Sequence, residues 1–319
     1  MKILPVIRRY RLEFALASFL VLAVLYVLLA AAPQEFPEGG VVTISDGASI
    51  SEASHVLKSA NVIRSPFSFT SIVRLMNGAK GVLAGRYAFT NPENVFQVAS
   101  RVSRGETGLK PVSITIPEGL DSREIALILS RELDNFDRDR FQELAREHEG
   151  YLFPETYHFL PGVTPESVIN TMLDTFSEMV QPLEGDISAS GRSLDTIVTM
   201  ASILEREARK YETRRTVSGI LWKRIDHSIP LQVDAVFGYI FGKSGYAPSF
   251  DDLEFDSPYN TYTNRGLPPG PIANPGLESI RAALDPADSP YFYYLTGSDG
   301  RMYYAQTFEQ HKANRSRLR

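Results

Sequence analysis

Four hydrophobic patterns follow one another along the chain. The first is an apolar run without a charge over residues 14–32. As a helix rising 1.5 Å per residue it would be about 28 Å long, close to one bilayer core. Residues 33–40 break the pattern with two Pro and two Gly and read as a linker. The second pattern occurs twice. Residues 44–52 read I-S-D-G-A-S-I-S-E and residues 116–124 read I-P-E-G-L-D-S-R-E, an offset of 72. In each copy a β-rich stretch (41–45, then 112–116) ends at a Gly turn. A helix then opens with a capping box, Ser49 with Glu52 and Asp121 with Glu124. Apolar stripes at helical spacing follow: Ala53, Val56, Leu57 and Ala60, then Ile125, Ile128, Leu129 and Leu133. The first copy runs on into a helix over 67–76, a strand over 83–89 and a helix over 95–102. The third pattern is helical and fills 138–147, 165–179 and 193–225. After Pro230 the chain becomes rich in Tyr, Pro, Gly and Asn and reads as loop-rich.

These patterns predict an α+β chain. Residues 1–13 form the N-terminus, 14–32 a single transmembrane helix, 33–40 a linker and 41–110 a small α+β module. Residues 111–319 form a mixed α+β domain whose first part, 111–137, begins a second copy of the module. Charge orients the span: Lys2, Arg8, Arg9 and Arg11 precede it, and Glu35, Glu38 and Asp46 follow. The positive-inside rule puts the N-terminus in the cytoplasm and the body outside, on a single-pass protein. A cleaved signal is the rival, because residues 30–32 are three alanines that a peptidase could read. The run is longer than a usual signal core, which favours a retained anchor.

Composition narrows the chemistry. A net charge of -5 with 22 % charged residues excludes a disordered polyelectrolyte and argues against nucleic-acid binding on a basic face. With no Cys there are no disulfides, thiolate nucleophiles or Cys-ligated metals. The five His, at 55, 148, 158, 227 and 311, show no paired spacing, so no metal or other cofactor is expected. Residues 238–244, G-Y-I-F-G-K-S, fall one residue short of a phosphate loop. No G-x-S-x-G elbow is present.

The stretch 193–210 is the most informative. At 100° per residue Glu205 falls about 20° from Val198, inside an apolar stripe with Leu194, Ile197 and Ala201, and Glu207 falls about 180° away; Met200 and Ile203 share that far side, so the helix is expected to be widely buried. An inward carboxylate is costly unless paired or protonated, and burial raises its pKa as a general acid at neutral pH requires. The bland alternative is an i,i+4 pair of Glu205 with Arg209.

Four motifs then stand in order: E-G-Y-L-F-P-E-T-Y at 149–157, M-A-S-I-L-E-R-E at 200–207, P-L-Q-V-D at 230–234 and Y-N-T-Y-T-N-R-G-L-P-P-G-P-I-A-N-P at 259–275. With them the chain resembles the YceG-like endolytic murein transglycosylases over nearly its whole length, and the module at 41–110 resembles LysM modules, which bind GlcNAc-containing wall polymers. The resemblance implies that Glu205 is the catalytic acid/base and that Gln232, Asp234, Asn260 and Tyr262 line a glycan cleft, with Glu155 as an auxiliary. One departure is visible: Asp234 is followed by Ala235 and Val236, where the family commonly has Pro-Thr. It also implies cleavage of the MurNAc–GlcNAc bond of nascent peptidoglycan strands without water, leaving 1,6-anhydro-MurNAc ends and terminating elongation. The implied partners are the glycan strands, the cytoplasmic membrane and peptidoglycan synthases. A peptidoglycan hydrolase and a non-catalytic wall-binding anchor remain the alternatives.

Overall fold

The computed structural model describes residues 11–77 and 81–317. The chain divides into two compact units, Met1–Lys110 and Pro111–Arg319, and is α+β in class.

The first unit opens with helix α1, Arg11–Leu29, whose large apolar side chains are exposed. Lys2, Arg8 and Arg9, expected to orient a span, lie outside the described residues. Among the described residues no helix is long and apolar enough to cross a membrane. Here the span expected over 14–32 is shortened. With Glu13 in the first turn and the last turn closing at Leu29, the uncharged helical part covers 14–29, about 24 Å against about 30 Å of hydrocarbon. Residues 30–32 are drawn off the helix by the body of the unit. The Val95 N–H donates to the Ala30 carbonyl at 2.9 Å. The Arg64 guanidinium donates to the carbonyls of Ala31 at 3.2 Å and Ala32 at 2.9 and 3.0 Å. The expected linker is packed too: Phe36 is buried and meets Phe89 edge-on, with ring centroids 6.0 Å apart.

The body of this unit is β1 (Gly40–Ile44), α2 (Ile50–Ser59), α3 (Pro66–Asn77), β2 (Gly85–Phe89) and α4 (Val95–Arg104). β1 and β2 pair antiparallel with Val42 opposite Tyr87. Leu57, Phe69, Val98 and Val102 fill the core that strands and helices share. The predicted capping box starts α2: the Glu52 N–H donates to Ser49 Oγ at 3.2 Å and the Ser49 N–H to Glu52 Oε2 at 2.7 Å.

The second unit repeats the same order with β3 (Val112–Thr115), α5 (Ser122–Glu132), α6 (Arg138–Ala145) and β4 (Thr156–Phe159). β3 and β4 are antiparallel, Ile114 opposite Tyr157. The offset of 72 that relates Glu52 to Glu124 also relates Pro66, which opens α3, to Arg138, which opens α6. The second copy therefore continues past residue 137 and closes at β4.

Beyond it come α7 (Pro165–Val180), α8 (Glu184–Ser190), α9 (Leu194–Glu207), α10 (Tyr211–Asp226), α11 (Ala235–Phe241) and α12 (Leu277–Leu284). The hairpin β5 (Tyr293–Thr296) and β6 (Met302–Ala305) and helix α13 (Phe308–Arg317) end the unit. The pattern read as continuous over 193–225 is two helices, because Ala208 is extended at φ −145°, ψ 141° and breaks the run. α9 is the axis of the unit. Every residue from Ile197 to Leu204 on it is buried, and α12 packs along it.

Candidate active site

α9 starts where Ser193 caps it, Oγ accepting the Thr196 N–H at 3.2 Å. It ends at Glu207. Because it is enclosed on all sides, the projection that set an inward Glu205 against an outward Glu207 does not apply. Both carboxylates enter the protein interior, on opposite sides, and meet different chemistry.

Glu205 is the centre of a closed ion pair. Its Oε1 takes Arg214 Nη2 at 2.5 Å, with both side chains only 5–6 % exposed. Its Oε2 accepts the Gly276 N–H at 3.0 Å and the Ser279 hydroxyl at 2.8 Å. Arg214 also donates through Nε to the Ala208 carbonyl at 2.9 Å, so one guanidinium holds the carboxylate and the break after α9. The partner is Arg214 rather than the i,i+4 neighbour Arg209. Close by, burial and the charge of Glu205 push the Glu118 carboxyl up. A Cβ on Gly276 would stand 1.8 Å from Glu118 Oε1, so any other residue there would push the Glu118 side chain aside.

Glu207, at the far side of the helix end, is partly open to solvent. Burial of the carboxyl pushes its pKa up to about 7, against hydrogen bonds from the Tyr294 hydroxyl and the Ala235 N–H and with the help of the Asp234 charge. The neighbours come from three separate segments. Asp234 stands at the start of α11 and accepts the Tyr262 hydroxyl on Oδ1 at 2.5 Å. Gln232, in left-handed backbone at φ 54°, accepts Arg224 Nη2 on Oε1 at 2.6 Å. Arg224 is buried and also donates to the carbonyls of Pro230 at 2.6 Å and Phe292 at 3.0 Å, so it ties the P-L-Q-V-D segment to the loop before β5. Burial and the Glu207 charge raise the Tyr294 phenol well above its ordinary range. A carboxyl pushed up to about 7 by burial, with a second carboxylate and two phenols around it, can give and take a proton on a polyhydroxylated ligand.

Of the residues expected from sequence, Asp234 and Tyr262 stand beside Glu207 and not among the described partners of Glu205, while Gln232 is held by Arg224. Asn260 is fully buried and does not line the cluster. Its Nδ2 donates to the Leu253 and Phe255 carbonyls at 3.1 and 2.8 Å, and its Oδ1 accepts the Tyr262 N–H at 2.9 Å, so it shapes the turn that presents Tyr262. Glu155 is exposed before β4 with its carboxylate on the Thr156 N–H at 2.8 Å, and none of its described contacts reaches Glu207.

Sequence reasoning set Glu207 aside as outward-facing and passed over Tyr294, Arg224 and Thr261. Thr261 is buried and stitches two motifs together, its Oγ1 accepting the Val233 N–H at 2.9 Å and its carbonyl the Gln232 N–H at 3.1 Å. The N-T of Y-N-T-Y gave that signal, as the second Glu of L-E-R-E gave Glu207; nothing marked Tyr294 or Arg224. A second carboxyl with a pKa pushed to about 7 by burial, Glu149, is enclosed. It accepts the Ser122 hydroxyl at 2.7 Å and Asn274 Nδ2 at 2.9 Å, while Asn274 Oδ1 takes the Gly150 and Leu152 N–H groups at 2.9 Å each. It fastens the E-G-Y-L motif to the I-A-N-P motif, with no approach for a substrate.

Comparison with known proteins follows the same residues. The YceG-like family model matches residues 42–317. The endolytic murein transglycosylase of Bacillus subtilis is 32 % identical over 297 residues, covering 85 % of this chain and 82 % of that one. The endolytic murein transglycosylase of Streptococcus pneumoniae serotype 2 is 27 % identical over 315 residues, 86 % of this chain and 57 % of that longer protein. A crystal structure of a yceG-like protein from Listeria monocytogenes superposes with a TM-score of 0.60 at 29 % identity, covering 87 % of this chain and 99 % of that one.

Proposed function

This chain belongs to the YceG-like family, and on that premise we propose that its second unit is a lytic transglycosylase that cuts peptidoglycan glycan strands with Glu207 as the acid and base. One observation carries the reading: a carboxyl pushed up to about 7 by burial at a helix end, held by the Tyr294 hydroxyl and the Ala235 N–H, with Asp234 and Tyr262 beside it.

Protonated Glu207 donates to the glycosidic oxygen on the leaving side of a MurNAc residue, and the bond breaks through an oxocarbenium-like transition state. The Glu207 carboxylate then takes the proton from the MurNAc C6 hydroxyl as O6 closes on C1. The products are a free GlcNAc hydroxyl and a 1,6-anhydro-MurNAc end. The proton count closes on Glu207, and no water is consumed. Tyr294 and the Ala235 N–H hold the carboxylate between the two transfers, and the fixed negative charge of Asp234 favours the positive sugar carbon. Mass spectrometry of products from purified glycan strands tests this: anhydro ends are expected, and reducing ends would mean that water is activated instead and the enzyme is a hydrolase.

The pH dependence has a definite sign. The acid must be protonated at the start, so kcat/KM on soluble strands should hold on the acid side and fall about tenfold per unit above about pH 7. A rate that climbs through pH 7 would remove Glu207 from the acid role.

Helix α1 supports a second part of the proposal, retention at the outer face of the cytoplasmic membrane. Its phenylalanine, leucine and valine side chains are exposed all round, which suits lipid rather than water. Residues 30–32 are bound by Arg64 and Val95 and so are withheld from the extended form a signal peptidase reads. Held there, the enzyme meets nascent strands beside the synthases that make them, cleavage ends their elongation, and the first βααβ module adds contact with glycan.

A further inference from the structure

Two helix N-termini grip the end of α1, and each carries an exposed phenylalanine. Arg64, just before α3, holds the Ala31 and Ala32 carbonyls, and Val95, which opens α4, holds the Ala30 carbonyl. Phe67 is the second residue of α3 and is 79 % exposed; Phe96 is the second residue of α4 and is 52 % exposed. The other aromatic side chains of this body, Phe36, Phe69, Tyr87 and Phe89, are buried. The course of the chain sets both exposed rings at one end of the unit. β1 runs away from the buried Phe36, α2 returns towards Arg64, and α3 and α4 both begin at that end. It is also the end at which the uncharged part of α1 stops about 6 Å short of a full hydrocarbon core.

We infer that Phe67 and Phe96 form a collar around the end of α1 that seats the first unit in the interfacial layer of a phospholipid bilayer. The inference rests on α1 as a membrane anchor and adds how the unit meets the surface. Aromatic rings are favoured at the headgroup level, where apolar area leaves water without reaching the chain core. Two rings beside the helix extend its short apolar length on the outer side. Because Arg64 and Val95 fix residues 30–32, helix and unit move together, and the collar sets the orientation of the unit on the membrane.

The chain has no Cys, so single labels can be placed directly in the full-length protein. Phe67→Cys, Phe96→Cys, Phe19→Cys and Ser51→Cys are each labelled with an environment-sensitive fluorophore in vesicles of phosphatidylethanolamine and phosphatidylglycerol. All four sites are exposed, so the fold should tolerate them, and Ser51 lies at the far end of α2 as a control. Quenching is read with nitroxide at the headgroup and, separately, in mid-chain. The collar requires blue-shifted emission and headgroup-level quenching at 67 and 96, mid-chain quenching at 19, and neither at 51. If 67 and 96 behave like 51 while 19 is deep, the collar is wrong and the anchor stands. If 19 also reports water, the anchor fails and the collar with it.

Discussion

Glu207→Gln is expected to fold and melt as the parent does while losing about 10²–10⁴-fold of its turnover on glycan strands. The amide keeps the shape of the side chain and an oxygen for the Tyr294 hydroxyl and the Ala235 N–H. It cannot donate the proton that the leaving oxygen needs, nor take one from the C6 hydroxyl. Burial is the main force raising the native carboxyl, so a neutral amide removes a desolvation cost rather than adding one. The measurement is kcat on soluble strands beside a thermal melt. Near-parental kcat in a folded Glu207→Gln protein would overturn the assignment. In contrast, on the proposed assignment Glu205→Gln should keep measurable turnover wherever the protein is folded, because Arg214, Gly276 and Ser279 already occupy its carboxylate.

The split between these two glutamates shows how far the sequence could be read. The βααβ order of the first unit, both capping boxes and the internal repeat were legible, since they rest on local rules: period, caps and turns. The P-L-Q-V-D and Y-N-T-Y motifs stood out in the sequence too, and the structure brings them together. The face of α9 was not. A helical projection assumes one buried side, and α9 is buried on both, so angle alone could not rank Glu205 above Glu207. Distant segments give the two carboxylates different surroundings. Arg214, Gly276 and Ser279 close around Glu205, whereas Tyr294 and Asp234 reach Glu207. The break at Ala208 was hidden for the same reason, since the guanidinium that holds it comes from the next helix. At the N-terminus the uncharged run was visible, but Arg64, which takes residues 31 and 32 off the helix, acts from 32 and 33 positions away.

Arg214→Met should cost the second unit about 3–5 kcal/mol, because it leaves the buried Glu205 carboxylate without its cation. For a unit of this size that is a fall in Tm of about 6–20 °C. Losing the Nε bond to Ala208 also loosens the turn after α9, on which the position of Glu207 depends. Glu118, already pushed up by burial and by the charge of Glu205, offers a second carboxyl there and not a replacement cation. The double variant Glu205→Gln with Arg214→Met removes both charges and should be less destabilised than the two single losses added together, a coupling that a double-mutant cycle by thermal or denaturant unfolding measures directly. Strict additivity would mean that the pair contributes nothing as a pair, and Glu205 would then have to be reconsidered as a residue free to act on substrate.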